Sequence, residues 1–232
     1  MDVEILERIR LESDLEDLRA RLRIKEGTAR AERFAQLVRE AQDIARPRAM
    51  FGVAYVDSKD DSSVVLDGIR FDSRVLRVNL DGTHRAFPFV ITCGTELHKW
   101  AAANEDLVLH FYADQICEAA LGVAQAALQR RLDEQYRPGS LSSMSPGSLP
   151  DWPLTAQRPL FALLGDPEQA IGVRLTESLL MVPAKSVSGI WFATEQSFAS
   201  CQLCPRSRCH TRRAPYDGTL FESKYGTTHE GP

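Results

Sequence analysis

The sequence lacks the features that mark membrane, secreted and nucleic-acid-binding proteins. Its longest uncharged apolar run is shorter than the ~20 residues that cross a bilayer, so we expect no membrane segment. A net charge of −4 provides no broad basic surface for nucleic acid. The N-terminal stretch is charged and has no basic segment followed by an apolar one, so no secretory signal is expected. These absences favour a cytoplasmic protein.

Common catalytic signatures are missing as well. The sequence contains no phosphate-binding glycine loop, no dinucleotide-binding fingerprint and no ordered Ser/His/Asp set. Four histidines are scattered without the spacing of metal ligands: His84, His98, His110 and His229. This argues against an ordinary hydrolase, kinase or dehydrogenase. A chain of 232 residues is nevertheless long enough to bury a core without disulfide or metal staples.

Hydrophobic periodicity predicts helices around a strand-rich centre. Residues 2–46 have helical spacing, with a break at Gly27 and Thr28 as the N-cap of a second helix. Further helices are predicted over 95–103, 106–135 and 156–164, with Leu107 and Phe111 on the buried side of the long one. The Gly-, Ser- and Pro-rich stretch within 137–155 is interpreted as a long loop, and loops of that length are often functional.

Short β-branched segments bounded by Asp, Ser and Gly predict strands. They cover residues 50–56, 63–71, 74–80, 86–93, 171–175 and 186–192. Asp67-Gly68 and Asp81-Gly82 are typical of hairpin turns. Consecutive hairpins favour an antiparallel sheet, so the predicted fold class is α+β: a twisted antiparallel sheet flanked by helices.

The sharpest local motif is a cysteine cluster near the C-terminus. Cys201 and Cys204 have C-x2-C spacing, and Cys209 follows within the same stretch. Five cysteines, an odd number, argue against a fully paired disulfide framework. Thiolates at this spacing can hold zinc or an iron–sulfur cluster, with His210, Cys93 or Cys117 as the fourth ligand. A group of redox-active thiols is the alternative interpretation.

Three stretches resemble the activation domain of vitamin B12-dependent methionine synthase. The most specific is Leu175–Gly189, which reads LTESLLMVPAKSVSG. Met144–Gly147 precedes it, and Ala113-Asp114 with Glu118-Ala119 lies on the predicted long helix. The resemblance covers roughly residues 105–200.

The resemblance implies a domain that binds S-adenosylmethionine and packs over the cobalamin of a methyltransferase, so that inactive cob(II)alamin is reduced and remethylated. It assigns ligand contacts to Glu118 and to the loop of Ser145, Pro146, Gly147 and Ser148. The family loop reads Arg-x-x-Pro-Gly-Tyr. Here Ser143 stands at the Arg position and Ser148 at the Tyr position, which leaves Arg137 as the one arginine of this loop.

These observations lead to a three-part division and a functional hypothesis. We expect an N-terminal helical segment over 1–46, the activation-like domain over 47–200 and a Cys-rich tail over 201–232. The chain would act in trans on a corrinoid-dependent methyltransferase or its cobalamin-binding module. An iron–sulfur cluster at the tail would suit the low-potential electron that this chemistry needs. The alternative is a non-catalytic corrinoid- or partner-binding scaffold with a structural metal. An independent methyltransferase is less supported, since no catalytic group is recognisable.

Overall fold

The computed structural model describes residues 1–11, 15–194, 199–206, 208–209, 212 and 214–225. Eight strands form one sheet and two short strands form a separate ribbon. The strands are β1 Val3–Leu6, β2 Arg48–Gly52, β3 Ala54–Lys59, β4 Ser63–Leu66, β5 Ile69–Asp72, β6 Arg85–Thr92, β7 Leu141–Met144, β8 Arg174–Leu175, β9 Met181–Val182 and β10 Ser186–Ala193.

Helices occupy most of the remaining chain. They are α1 Leu15–Arg21, α2 Ala29–Ile44, α3 Arg74–Asn79, α4 Thr95–Ala102, α5 Leu107–Tyr136, α6 Gln157–Leu164 and α7 Pro167–Ile171. Short 3-10 turns cover Leu154–Ala156 and Ser200–Leu203, and one π-helical turn covers Phe221–Tyr225. Among the described helices, none is both long and apolar enough to cross a membrane.

Strand β6 is the centre of the sheet. It pairs antiparallel with β10 on one side and with β2 and then β3 on the other. Strand β7 extends the sheet beyond β10, and β1 extends it beyond β2. The β3–β4–β5 hairpins continue from the N-terminal end of β6. The predicted α+β class with an antiparallel sheet flanked by helices is therefore confirmed.

Helices cover both faces of this sheet. Helix α5 packs Ala124, Leu128 and Leu132 against one face, where Phe89 and Trp191 also lie. On the opposite face, Leu164 and Ile171 of α6 and α7 pack against Met50 and Val90. Because β6 is buried on both faces, its sequence is a nearly continuous apolar run rather than an alternating one.

The helical prediction for residues 2–46 is wrong at its start. Val3–Leu6 forms the edge strand β1, whose residues are alternately exposed and half-buried, and Ile5 pairs with Met50. Its few apolar residues fit both helical and strand periodicity. The segment forms a strand because it pairs with the free edge of β2. The break at Gly27 and the cap at Thr28 are confirmed, since the Thr28 hydroxyl accepts a hydrogen bond from Ala31 N–H.

The strand predicted over residues 74–80 is also wrong, because Arg74–Asn79 forms helix α3. Ser73 caps it by accepting the Leu76 N–H at 3.0 Å. The Asp151 carboxylate, distant in sequence, accepts the N–H groups of Arg74 and Val75. The helix buries Val75 and Leu76 in the core. Satisfying these N-terminal N–H groups outweighs the β propensity of the valines.

Two further predictions need correction. The predicted loop over 137–155 contains strand β7, which pairs with β10 and so becomes a structural edge of the sheet. In helix α5, Leu107 is 86% exposed and Phe111 is 50% exposed, although the periodicity predicts both to be buried. They lie on the first turns of the helix, and the residues that pack on the sheet begin further along it.

Candidate functional site

A cavity of about 410 Å³ lies where β6, β7, β10 and α5 meet the start of the C-terminal tail. Its size falls within the ~300–1,000 Å³ usual for small-molecule sites. We name it the serine pocket because five serines contribute to its wall. Its lining residues are Phe89, Gln125, Leu141, Ser142, Ser143, Ser145, Ser148, Val187, Trp191, Ala199, Ser200 and Cys201.

The predicted loop of Ser145, Pro146, Gly147 and Ser148 forms a tight turn at the mouth of this pocket. Pro146 stands second and Gly147 stands third with φ at +79°, and the Ser148 N–H donates to Ser145 O at 3.1 Å. This is the pattern of a type II β-turn, whose third position requires positive φ. A second hydrogen bond, from Gly147 N–H to Trp152 O at 2.8 Å, fixes the turn to the chain that follows.

Gly189 of β10 allows this turn to lie close to the sheet. A Cβ atom added there would overlap the carbonyl oxygen of Met144 and lie 3.0 Å from the Ser145 hydroxyl. It would also lie 3.1 Å from the Phe89 ring. The glycine that ends the recognised Ser-Val-Ser-Gly sequence is therefore required sterically, because β7 and the turn approach it closely.

The pocket combines aromatic walls with unsatisfied hydroxyls. The rings of Phe89 and Trp191 lie with centroids 4.7 Å apart and planes tilted by 37°. The hydroxyl oxygens of Ser148 and Ser200 are buried and, among the described residues, have no hydrogen-bond partner. Buried polar groups are nearly always paired, so these two hydroxyls are unused hydrogen-bonding capacity in the pocket wall.

Glu118 lies outside the serine pocket, in a cluster with Lys185 and Asp114 that we name the charge cluster. The Lys185 Nζ is 3.0 Å from an Asp114 oxygen and 3.3 Å from a Glu118 oxygen. Burial opposes the charge of Lys185, but hydrogen bonds and attraction from Asp114 and Glu118 outweigh it and raise the pKa of the ammonium. The Glu118 side chain is 51% exposed, so the carboxylate sits at a rim.

The charge cluster and the serine pocket share one side of α5. Glu118 precedes the lining residue Gln125 by seven positions, which is two turns and about 10 Å along the same helix face. Lys185 directly precedes β10 and stands two positions before the lining residue Val187. Of the predicted ligand contacts, Ser145 and Ser148 thus line the serine pocket, and Glu118 belongs to the neighbouring charge cluster.

None of the described lining residues is a cation. Ser143 lines the pocket as part of β7, at the position where the sequence resemblance places an arginine. Arg137 ends helix α5 with φ at +44°, is exposed and is not among the lining residues. Arg137, which the sequence offers as the one arginine of this loop, therefore does not line the pocket.

A second cavity of about 510 Å³ lies on the other side of the Ser145-Pro146 turn. It is lined mainly by the recognised motif, with Thr176, Leu180, Met181 and Val182 among its residues. In its wall, the buried Ser188 hydroxyl donates to Gln157 Oε1 at 2.8 Å and joins β10 to α6. Leu180 is 59% exposed, so this face presents apolar surface beside the pocket.

The predicted thiolate site is not assembled in the part of the chain that the structure describes. Cys201 lines the serine pocket, whereas Cys204 packs against the core that contains Trp152 and Leu203. No group of three potential ligands comes together among the described residues, and His210 lies outside them. Nearby, the Arg212 guanidinium donates to backbone carbonyls of the tail, those of Cys201, Cys204, Arg206 and Ala214.

The other candidate ligands, Cys93 and Cys117, are buried together beneath the charge cluster. The Cys117 thiol donates to Leu97 O at 3.7 Å, and the Cys93 N–H donates to Lys185 O at 3.0 Å. The neighbouring Cys117 sulfur and burial together raise the pKa of the Cys93 thiol. Cys93 therefore acts as a neutral core side chain rather than as a thiolate, and Cys117 is buried beside it.

Sequence reasoning misses much of the pocket wall. Phe89, Gln125 and Trp191 do not stand out, because each is indistinguishable from a packing residue in its strand or helix. Ser200 follows the last strand without any motif. The two serines that replace expected family residues, Ser143 and Ser148, are the signal that could have located this site.

Comparisons with known proteins find one family model and a set of solved structures that resemble this chain. Residues 123–202 match the family model described as vitamin B12 dependent methionine synthase, activation domain. Thirteen chains among the solved structures match. One of these, the crystal structure of the MetH reactivation domain bound to AdoHcy, has a TM-score of 0.64 at 17% sequence identity. That match covers 86% of this chain and 81% of that one. No curated protein matches.

The matched residues 123–202 include Gln125, the turn of residues 145–148 and strand β10. They therefore contain most of the wall of the serine pocket. At 17% identity, the solved reactivation domain establishes the fold of this chain. Over these residues the chain therefore resembles the activation domain of vitamin B12-dependent methionine synthase.

Proposed function

We propose that this chain is an accessory protein that acts in trans on a cobalamin-dependent methyltransferase and assists its reductive reactivation. The observation that carries the proposal is the serine pocket, whose wall is built largely from the residues that match the activation-domain family. In this role the pocket binds an S-adenosyl compound. The apolar face around Leu180 contacts the cobalamin-binding module of the partner.

Three features of the pocket support an S-adenosyl ligand. Phe89 and Trp191 make one wall of the pocket aromatic, and a purine ring packs favourably on such a wall. The unpartnered hydroxyls of Ser148 and Ser200 offer hydrogen bonds to ribose or base. The carboxylates of Asp114 and Glu118 lie along α5 from the lining residue Gln125, and a sulfonium or ammonium arm that reaches them is attracted by their charge.

The proposed chemistry belongs to the partner's cobalamin, with this chain as its positioning surface. The partner's cobalamin would supply the metal chemistry, which is a one-electron reduction by an external reductant followed by methyl transfer from S-adenosylmethionine, with S-adenosylhomocysteine as the leaving product. The walls of the serine pocket hold the nucleoside and exclude water from it.

A reconstitution assay tests this function. A methyltransferase module that lacks an activation domain is prepared as cob(II)alamin and mixed with titanium(III) citrate and S-adenosylmethionine. Addition of this chain should raise the rate of methylcobalamin formation in proportion to its concentration, as followed by the cobalamin spectrum. Equal rates with and without the chain would contradict the proposal.

Matched variants connect that rate to the pocket. Ser143→Trp fills the cavity with an indole and should abolish the acceleration. Ser62→Trp places the same side chain at an exposed turn and should leave it unchanged. Circular dichroism of both variants checks that each one folds.

A second candidate is a non-catalytic scaffold that binds a corrinoid or a partner protein. It is favoured by the lack of a cation among the described pocket residues, because a ligand carboxylate then has no counter-charge. In the reconstitution assay the scaffold would bind the methyltransferase module, as seen by gel filtration, and would not change the rate.

The metal at Cys201, Cys204 and Cys209 stays a prediction, and neither function depends on it. Anaerobic purification followed by iron and zinc analysis tests it directly. We also propose a cytoplasmic location, since three of the five cysteines cluster near the C-terminus and such a cluster suits a reducing compartment.

A further inference from the structure

We propose that this chain associates with a second copy of itself through the free edge of strand β1, so that two sheets join into one across a two-fold axis. The observation that carries the inference is a short apolar strand at one end of the sheet whose sequence complements itself. The inference is separate from the proposed function, since β1 and the serine pocket lie at opposite ends of the strand order β1-β2-β6-β10-β7.

Strand β1 is less protected against further pairing than the other ends of the sheet. Among the described residues, its backbone pairs with β2 alone. The edge at β7 is partly covered, because Ser143 bridges to Ala199 of the tail. Strand β5, the third end, carries Arg70 and Asp72, which form an ion pair. Lysine and proline protect many natural edge strands, and residues 1–9 contain neither.

The side chains of β1 present an apolar strip beside this edge. Val3 is 37% exposed and Ile5 is 40% exposed. Both lie on the sheet face that carries α6 and α7, since Ile5 stands opposite Met50 and strand residues alternate between faces. On the other face, Glu4 is already held in an ion pair by Arg131 of α5. A strand added at this edge therefore gains backbone hydrogen bonds and apolar contacts.

The sequence around β1 identifies the added strand as a second copy. Two copies related by a two-fold axis pair antiparallel, and each contact occurs twice. In the register centred on Ile5, the two Ile5 side chains face each other, and Asp2 of each copy faces Arg8 of the other. Asp2 and Arg8 are exposed, and neither has an ion-pair partner among the described residues. The register thus places an apolar pair at the centre and opposite charges at both ends.

The adjacent registers are less favourable. Centring on Glu4 places two carboxylates opposite each other, where like charges repel. Centring on Leu6 places Arg8 opposite Glu4, whose carboxylate is already bound by Arg131. The charges around β1 therefore favour the register centred on Ile5.

The joined sheet is small at its interface and leaves both serine pockets open. Pairing over residues 2–8 involves about seven residues a side, fewer than the roughly 20–30 of a standard interface. We therefore expect a reversible dimer with a dissociation constant in the micromolar range. The two β7 strands and their pockets lie at the outer ends of the joined sheet.

Sedimentation velocity of the full chain, with no tag at its N-terminus, tests the association from about 1 to about 500 µM. The chain should be monomeric at the low end and mostly dimeric at the high end. Ile5→Lys sets two ammonium groups opposite each other and should leave the chain monomeric throughout. Leu107→Lys makes a matched change at a side chain that is 86% exposed on α5 and should leave the association unchanged. Circular dichroism verifies the fold of both variants.

A charge exchange tests the register. Asp2→Arg and Arg8→Asp each create two like-charge pairs across the axis, and each should weaken the dimer by about tenfold. The double variant restores opposite charges and should recover the wild-type dissociation constant. Both positions are exposed, so the exchange does not depend on changes in the core.

The outcomes are separate from those of the reconstitution assay. A chain that stays monomeric at about 500 µM overturns the inference, as does a dimer that Ile5→Lys leaves intact. A double variant that dimerises no better than the single ones overturns the proposed pairing. Loss of the dimer with Ile5→Lys, together with its recovery in the double charge exchange, supports the inference. None of these results alters the test of the proposed function.

Discussion

The serine pocket and the charge cluster are neighbours along α5 and differ in the polar groups that they contain. The pocket is lined by hydroxyls and two aromatic rings, and two of its hydroxyl oxygens are buried without a partner among the described residues. The charge cluster contains three ionised groups that satisfy one another at a half-exposed rim, around Lys185. Neutral polar groups thus stand at the interior position and full charges stand near solvent.

This difference follows from the cost of burial. An unpartnered hydroxyl in the interior costs about 1–3 kcal/mol, which the fold tolerates at a binding site. An unpaired charge at the same depth costs far more and would require its own partner. The two places should therefore respond differently to substitution: changes in the pocket alter backbone packing and ligand fit, and changes in the charge cluster alter pH dependence.

The largest expected effect is that of Gly189→Ala at the pocket. The added Cβ overlaps the Met144 carbonyl oxygen, so β7 and the turn must move away from β10. We expect a loss of about 2 kcal/mol in the free energy of unfolding, measured by urea titration. Gly122→Ala on α5 is the control, since nothing lies within 4 Å of its Cβ and it should stabilise the helix slightly.

Gly147→Ala should have a somewhat smaller effect. The φ of +79° at this position costs an alanine about 1–2 kcal/mol, because Cβ crowds the backbone in that region. The same urea titration measures the loss of stability, and S-adenosyl ligand binding should weaken as the turn relaxes. An unchanged midpoint would mean that the turn does not require this conformation.

Ser148→Ala should change stability in the opposite direction. Removing a buried hydroxyl without a partner should raise the free energy of unfolding by about 1 kcal/mol in the absence of ligand. Ligand affinity should fall at the same time, because the proposed function gives this hydroxyl a hydrogen bond to the ligand. A variant that loses stability would show that the hydroxyl already has a partner, and the contrast between the two places would weaken.

The smallest effect is expected at the charge cluster. Lys185→Met should cost about 0.5 kcal/mol at neutral pH, because solvent screens this partly exposed ion pair. The folded-state pKa of Lys185 is raised, so its contribution is complete below about pH 10.4 and is lost as pH rises through the folded pKa. Urea titrations of wild type and variant from pH 7 to 11 should converge at the high end. Lys99→Met on α4, at an exposed position, is the control.

The sequence predicts most elements whose pattern is local. The Thr28 cap, the turn at Asp67-Gly68 and helix α5 follow from spacing and turn chemistry, and the structure confirms them. The pattern of Arg74–Asn79 predicts a strand because its valines have β propensity, whereas Asp151, which adds to the Ser73 cap by accepting two further N–H groups, is far away in the chain. The pattern of Val3–Leu6 predicts a helix because its pairing with β2 is a long-range contact.

In the candidate site, too, the sequence predicts local features and misses those that depend on long-range contacts. The turn residues Ser145–Ser148 and the carboxylate of Glu118 are recognisable in the sequence as parts of the family pattern. That Glu118 stands at a rim with Lys185, while Trp191 and Ser200 close the pocket, depends on how β10, α5 and the tail pack. The convergence predicted for the three tail cysteines rests on spacing alone, and spacing does not decide where side chains point.

The amino-acid sequence by itself determined the turn, the caps, the apolar faces and the family resemblance, since these depend on residues near one another in the chain. Tertiary structure alone decided that five serines meet two aromatic rings in one pocket and that Lys185 lies between the carboxylates of Asp114 and Glu118. The physical reason is that burial and pairing of charge are properties of distant segments brought into contact, where the cost of an unpaired group becomes large.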